Sequence, residues 1–391
     1  ELSKFSQSVL ASERDQHLRR VLWREGDQDK PPKIYKTRTV NFGDKPAGCI
    51  ALTAVRNTAD LYQNIDPGAA EKLKRDNYVD DVASGDNNKE SALATSANMD
   101  RIVQMGGFTF KSTIMSGDVG EPRRVLGTGW NTEHDTLFIE VKVNTCPKRK
   151  GIRTGPNIEF EDIKTSFPEK LTKRIIWRVV LGQFDLLGLA SIFFIRLKFL
   201  MRDLSGETGR KIDWDDALSE DLRNRFMGVL ELMGGIKNLQ FPRCITPAGV
   251  KENTDPELLI FGDGSKQAFC SLAYIRWELE DGSYKCFLVS GKTRVAPLKK
   301  ISVPRLELLG SVACVRLASN IQEGLHIKIG RRYFFTDSSA VFGMIKGECG
   351  AFTEFIGTRT GEIKNKSDPE KEWFWLPTQE NLADLGTRDD V

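Results

Sequence analysis

Tyr78-Val79-Asp80-Asp81 sets two adjacent carboxylates behind an aromatic and a β-branched residue. Gly85 and Asn87 follow closely, so the spacing predicts a tight strand-turn-strand hairpin. Neighbouring side chains of an extended chain point to opposite faces, so both carboxylates reach one site only at a bent tip. Paired carboxylates held that way suit divalent cations and phosphoryl transfer.

A second set of acids stands in the last third. Asp263 closes an apolar run, Glu307 falls in the first turn of a helix entered through Pro304, Asp337 follows Phe335-Thr336, and Asp384 lies in Asn381-Leu382-Ala383-Asp384. Acids set directly on apolar runs are rare without a partner, and sites form at strand ends over an open sheet. Four carboxylates converging there would repel. Two dications about 3.5–4 Å apart would relieve the repulsion and clamp a phosphodiester for in-line attack by water. Each acid also has an ordinary reading: a β-turn at Asp263-Gly264-Ser265, a helix-dipole contact for Glu307, an N-cap for Asp337 and a solvent-facing helix position for Asp384.

The elements that would position these acids follow from periodicity and punctuation. Apolar spacing predicts helices over Ala47–Leu61, Ala69–Arg75 and Lys89–Gln104, the last stopped by Gly106-Gly107. A helical or mixed stretch is expected over Ser3–Leu22. Strands are expected at Thr37–Phe42, Phe108–Ile114 and Val125–Trp130. Thr172–Leu187, Leu189–Leu204 and Trp214–Met233 read as three helices. Beyond them come a strand at Leu258–Gly262, a hairpin around Asp281-Gly282, a helix over Leu306–Ile321, and strands at Tyr333–Thr336 and Trp373–Leu376. The expected fold class is α+β and α/β, in three domains at 1–146, 147–254 and 255–391.

A net charge of +3 on 391 residues means that any nucleic-acid surface must be a local basic patch. Lys148, Arg149 and Lys150 are candidates for tracking a phosphate backbone, whereas Arg331-Arg332 reads as a solvated face. Seven cysteines without a CxxC pair fit buried thiols in a reducing compartment, and three scattered histidines argue against zinc. No apolar run is long enough to span a bilayer, so a membrane partner is not expected. The abrupt start at Glu1 reads as part of a longer protein.

Taken together, these motifs resemble the Pol polyprotein of a Pao/BEL-type LTR retrotransposon. Leu2-Ser3-Lys4-Phe5-Ser6-Gln7-Ser8-Val9 resembles the first palm motif of a reverse transcriptase, Tyr78-Val79-Asp80-Asp81 its active-site signature, and Gly106-Gly107-Phe108 with Lys111 a later palm motif. Phe184-Asp185-Leu186-Leu187-Gly188-Leu189 and Trp214-Asp215-Asp216 resemble the group's helical segment. The order Asp263, Glu307, Asp337, Asp384 is similar to that of ribonuclease H. The resemblance implies a reverse-transcriptase palm with its fingers truncated, a helical thumb or connection, and a ribonuclease H-like mixed sheet with flanking helices. It implies Mg²⁺ or Mn²⁺ on Glu1, Asp80 and Asp81 in the palm and on Asp263, Glu307, Asp337 and Asp384 in the last domain, with Lys111 as a phosphate contact or proton donor. Its partners would be RNA, DNA and their hybrid, and the peptidase and integrase domains of the same polyprotein. The setting would be intracellular, in a cytoplasmic particle or the nucleus.

The sequence departs from this pattern in places. Glu1 stands where the family has Asp, and a carboxylate displaced by roughly 1 Å costs on the order of 100-fold in rate. Ser6 replaces an aromatic, Leu186 replaces a Pro, and no histidine precedes Asp384. Two other functions compete: an aspartic peptidase built on Asp337-Ser338-Ser339, which has Ser339 where its loop needs Gly, and a domesticated copy that binds without catalysis.

Overall fold

The structure, a computed structural model, describes residues 1–41, 43–149, 152–206 and 212–388. The chain forms two compact units, Glu1–Asp118 and Val119–Val391.

In the first unit, β1 (Arg20–Trp23) pairs antiparallel with β2 (Lys33–Lys36) in a ribbon whose side chains are all exposed. The strand expected at Thr37–Phe42 is thus set a few residues earlier, and Phe42 lies outside the described residues. Helices α1 (Ala47–Leu61), α2 (Pro67–Arg75) and α3 (Lys89–Met105) build the core. Small residues make this packing close. Ala51, Val55 and Ala59 form a fully buried stripe on α1, facing Leu73, Ile102 and Val103. Asp66 caps α2 by accepting from the Ala69 amide at 3.0 Å, and Asn88 caps α3 through the Ser91 amide at 2.8 Å. Between α2 and α3 runs the short hairpin of β3 (Asn77–Tyr78) and β4 (Asp81–Val82).

In the second unit, β5 (Arg123–Val125), β6 (Thr128–Asn131) and β7 (Thr136–Phe138) form an antiparallel meander. Its far edge is closed by β8 (Phe241–Pro242), from the other end of the helical segment. Between them come α4 (Lys173–Val180), α5 (Ser191–Gly206) and α6 (Glu220–Ile236). Ile139, Val141 and Val143 share one core with Ile176, Leu197, Phe226 and Leu230. This shared core puts the compact-unit division after Asp118, ahead of the expected boundary at 146, and leaves Val119–Cys146 packed with the helices.

Only part of Thr172–Leu204 is helical. Asp185 accepts from the amides of Leu189 and Ala190 at 2.9 Å, and Gly188 takes φ +75°, so the chain breaks between α4 and α5. That break lets Gly188 meet Gly291 backbone to backbone, where a Cβ on either would overlap the carbonyl of the other. The next helix starts later than Trp214, at Glu220, because Ser219 caps it.

The final element set is a five-stranded sheet. β9 (Glu257–Gly264), β10 (Ala268–Glu278) and β11 (Tyr284–Val295) run antiparallel. A long helix α7 (Val303–Gly324) then crosses back to β12 (Arg331–Thr336), which lies parallel to β9. Two helices, α8 (Ser339–Lys346) and α9 (Glu354–Lys366), lead to β13 (Trp373–Trp375), parallel to β12. The spatial order is β11-β10-β9-β12-β13. Leu258, Ile260 and Phe334 point to α7 and are fully buried. Helix α5 packs against this sheet: Ile195 and Phe199 meet Ala268, and the Thr293 hydroxyl donates to the Ser191 carbonyl at 3.2 Å. The helical segment and the sheet are therefore one body.

Candidate active site

The carboxylate end of the sheet depends on three glycines. A Cβ on Gly264 would lie 2.4 Å from the Glu307 amide nitrogen, and one on Gly310 would lie 2.5 Å from the Asp263 carbonyl. A Cβ on Gly262 would lie 2.5 Å from the Cys314 sulfur. Small residues here let α7 sit directly on β9, which brings Glu307 beside Asp263. Glu307 lies in the second turn of α7, since the helix already starts at Val303.

Asp263 is 7% exposed at the end of β9. Burial, then the nearby charges of Asp337 and Asp384, push its carboxyl up to about 6, against the pull of a hydrogen bond from Thr387. Burial also raises Glu307, with Asp337 adding to it and a hydrogen bond from Ser338 opposing it. Asp263 thus feels Asp337 and Asp384, and Glu307 feels Asp337, at one end of the sheet. Each has its own partner. Ser338 donates to Glu307 at 2.7 Å, Asn381 donates to Asp337 at 3.1 Å, and Arg388 pairs with Asp384 at 2.7 Å. Among the described residues no three acids, cysteines or histidines stand close enough to form a ready-made cation site. Each of the four acids expected to share dications is thus bound to a separate partner, and no three of them form a cation site among the described residues.

The N-cap of α8 is Ser338, which accepts from the Val341 amide at 3.2 Å, so the capping role considered for Asp337 falls one residue later. Sequence reasoning missed Thr387, Asn381 and Arg388. Their only signal was proximity in sequence to Asp384.

In the first unit, the hairpin tip is Val79-Asp80, not the Gly85 region. Val79 takes φ +58°, a strained conformation for a β-branched residue. The Asp80 carbonyl accepts from the Leu2 amide at 2.6 Å, and the Glu1 carbonyl accepts from the Lys111 amide at 2.8 Å. These bonds draw Glu1, Asp80 and Lys111 around one cleft of ≈ 440 Å³ that Ser6 also lines. The Lys111 ammonium stands 3.3 Å from the Glu1 carboxylate. Burial raises Asp81, with further contributions from Asp80 and Glu1. The strand expected at Phe108–Ile114 is reduced to a single bridge, Leu2 to Phe110.

Lys150 lies outside the described residues, as do the side chains of Lys148 and Arg149. Arg332, expected in a solvated face, is instead bound to Glu372 at 2.8 and 2.9 Å. Of the cysteines, Cys270 and Cys314 are buried, whereas Cys49, Cys244 and Cys286 are exposed. No helix among the described residues is long and apolar enough to cross a membrane.

The mixed five-stranded sheet thus carries Asp263 and Asp337 at the ends of β9 and β12. Residues 172–338 match the family described as the Pao retrotransposon-like RNaseH-like domain. This stretch of the chain is a Pao-type retrotransposon RNase H-like region. It includes α4, α5 and α6 together with Asp263, Glu307 and Asp337. Among solved structures, the N-terminal RNase H domain of a Mycobacterium tuberculosis protein, solved as a fusion with maltose-binding protein, is similar at 14% identity and a TM-score of 0.25. The match covers 34% of this chain and 94% of that one. No curated protein matches.

Proposed function

We propose that the chain is part of a retrotransposon Pol polyprotein whose last domain hydrolyses the RNA strand of an RNA–DNA hybrid with Mg²⁺ or Mn²⁺. The observation that carries this reading is the buried carboxyl of Asp263 at the end of β9, within the fields of Asp337 and Asp384 and packed on the helix that bears Glu307. The donors are all carboxylate oxygens, which suits hard dications. When bound, a pair of such ions would activate water and stabilise the leaving oxygen. The chain's own residues prepare that state. Thr387 fixes one oxygen of Asp263 and Asn381 fixes one of Asp337. Ser338 must release Glu307, and Arg388 must release Asp384, as the acids turn inward.

For the first unit, the same reading makes Glu1, Asp80 and Asp81 the metal-holding acids of a reverse-transcriptase palm, with Lys111 on the incoming phosphates. Support comes from the shared cleft and the strained hairpin tip. Cleavage of a labelled RNA–DNA hybrid in Mn²⁺ tests the main reading. Asp337→Asn should abolish it, and undiminished cleavage by that variant would remove Asp337 from the mechanism.

A further inference from the structure

We propose that the outer face of the five-stranded sheet is a second binding site, which takes single-stranded nucleic acid. Bases would stack on Phe374, which Tyr333 backs, and phosphates would rest on Arg331, Lys366 and Lys371. Side chains alternate along β12, so Phe334 enters the core while Tyr333 and Phe335 face away from α7. On that outer side the rings form a connected row. Phe374 lies 5.6 Å from Tyr333 and 6.1 Å from Phe335, and Phe335 stacks on Phe261 at 4.9 Å. Tyr333 and Phe335 are half-buried, and Phe374 is 39% exposed.

A cleft of ≈ 1090 Å³ opens where β12 begins, lined by Tyr333 and Phe374 together with Arg331, Lys366 and Lys371. Arg332, in the same cleft, is neutralised by Glu372 at 2.8 Å, and Lys371 has only a long contact to Asp368 at 3.7 Å. Neither Arg331 nor Lys366 has a carboxylate in salt-bridge reach among the described residues. Arg331 hydrogen-bonds the Tyr333 side chain, and Arg276 lies 5.9 Å over that ring, so Phe374 is the exposed ring of the row. Cations without a carboxylate partner beside an exposed ring complement a chain that carries phosphates and flat bases. The row also leads toward the acids. Arg331 stands six residues before Asp337, roughly 20 Å along the strand. The Trp375 indole donates to the Asp337 carbonyl at 2.8 Å. A strand held on this face would therefore extend to the carboxylate end of the sheet. The inference goes beyond the hydrolysis proposed above and stands whether or not cleavage occurs.

The test is fluorescence anisotropy of the full chain with a labelled twelve-residue oligo(dT), without metal, across a salt series. Phe374→Ala should weaken binding about tenfold with the salt slope unchanged. The double variant Arg331→Glu, Lys366→Glu should weaken it and flatten the slope by roughly 1.4 or more. Both variants should keep the parent's melting temperature within a few degrees. Because no metal is present, cleavage does not enter the readout, which separates this site from the fate of the nuclease. Unchanged affinity in both platform variants would overturn the proposal. So would a loss on charge reversal with none on Phe374→Ala, or equal displacement of the oligonucleotide by an acidic peptide.

Discussion

Thr387 donates its hydroxyl to a carboxylate oxygen of Asp263 across 124 positions of sequence. One residue later Arg388 reaches back to Asp384. A single turn near the end of the described chain thus supports two of the four acids. Thr387→Val should push the Asp263 carboxyl above its present value of about 6, because the bond it removes favours the charged form. The stability loss at neutral pH should be about 1–3 kcal/mol, read by urea unfolding, and Thr387→Ser should recover most of it.

The pH dependence of stability follows from the same acid. Asp263 stands at about 6 in the fold against 3.8 for a free aspartate. Between those values the folded chain binds more protons at this site than the unfolded one. The contribution is fully present below about pH 4 and is lost as pH rises through about 6. Its size is roughly 3 kcal/mol. Asp263→Asn should therefore be more stable than the parent at pH 7.5 without metal, and the two should converge toward pH 4. Parallel stability curves across that range would count against this origin.

Close contact between β9 and α7 should tolerate no side chain. Gly264→Ala places a methyl 2.4 Å from the backbone of Leu306 and Glu307, which neither element can yield without separating. Loss of about 2 kcal/mol or more is expected, with loss of hybrid cleavage, because Glu307 moves with its helix. Gly343→Ala is a fitting control: it lies in helix α8 and its Cβ would meet open space, so it should fold normally.

In the first unit, Asp80→Asn removes a charge that raises Asp81. Asp81 should then titrate at lower pH, a shift readable by carboxyl carbon NMR. A titration curve indifferent to Asp80 would separate the two acids and weaken the paired-carboxylate reading of the hairpin.

Much of this was legible in the chain itself. Helix α7 announced itself through Pro304 and a regular apolar repeat, and β10–β11 through Asp281-Gly282, where Gly282 takes φ +79°. Helix α9 was not legible, since Gly357 and Gly361 interrupt it and it buries only Thr360 and Ile363. Ribbon β1–β2 exposes every side chain, so alternation could not fix its position. The break at Gly188 was written in Asp185, whose carboxylate competes with the helix for the next amides, but an apolar run on either side masked it. The acids themselves were singled out by type and order. Their supports, Thr387, Asn381 and Ser338, were not, because a hydroxyl or amide that reaches a distant carboxylate leaves no periodic trace.

The most direct measurement is an anomalous-scattering map from crystals soaked in Mn²⁺. Two peaks about 3.5–4 Å apart among Asp263, Glu307 and Asp337, with Arg388 turned away from Asp384, are the expected result. An empty sheet end, with Arg388 still on Asp384 and Ser338 still on Glu307 at saturating Mn²⁺, would contradict it.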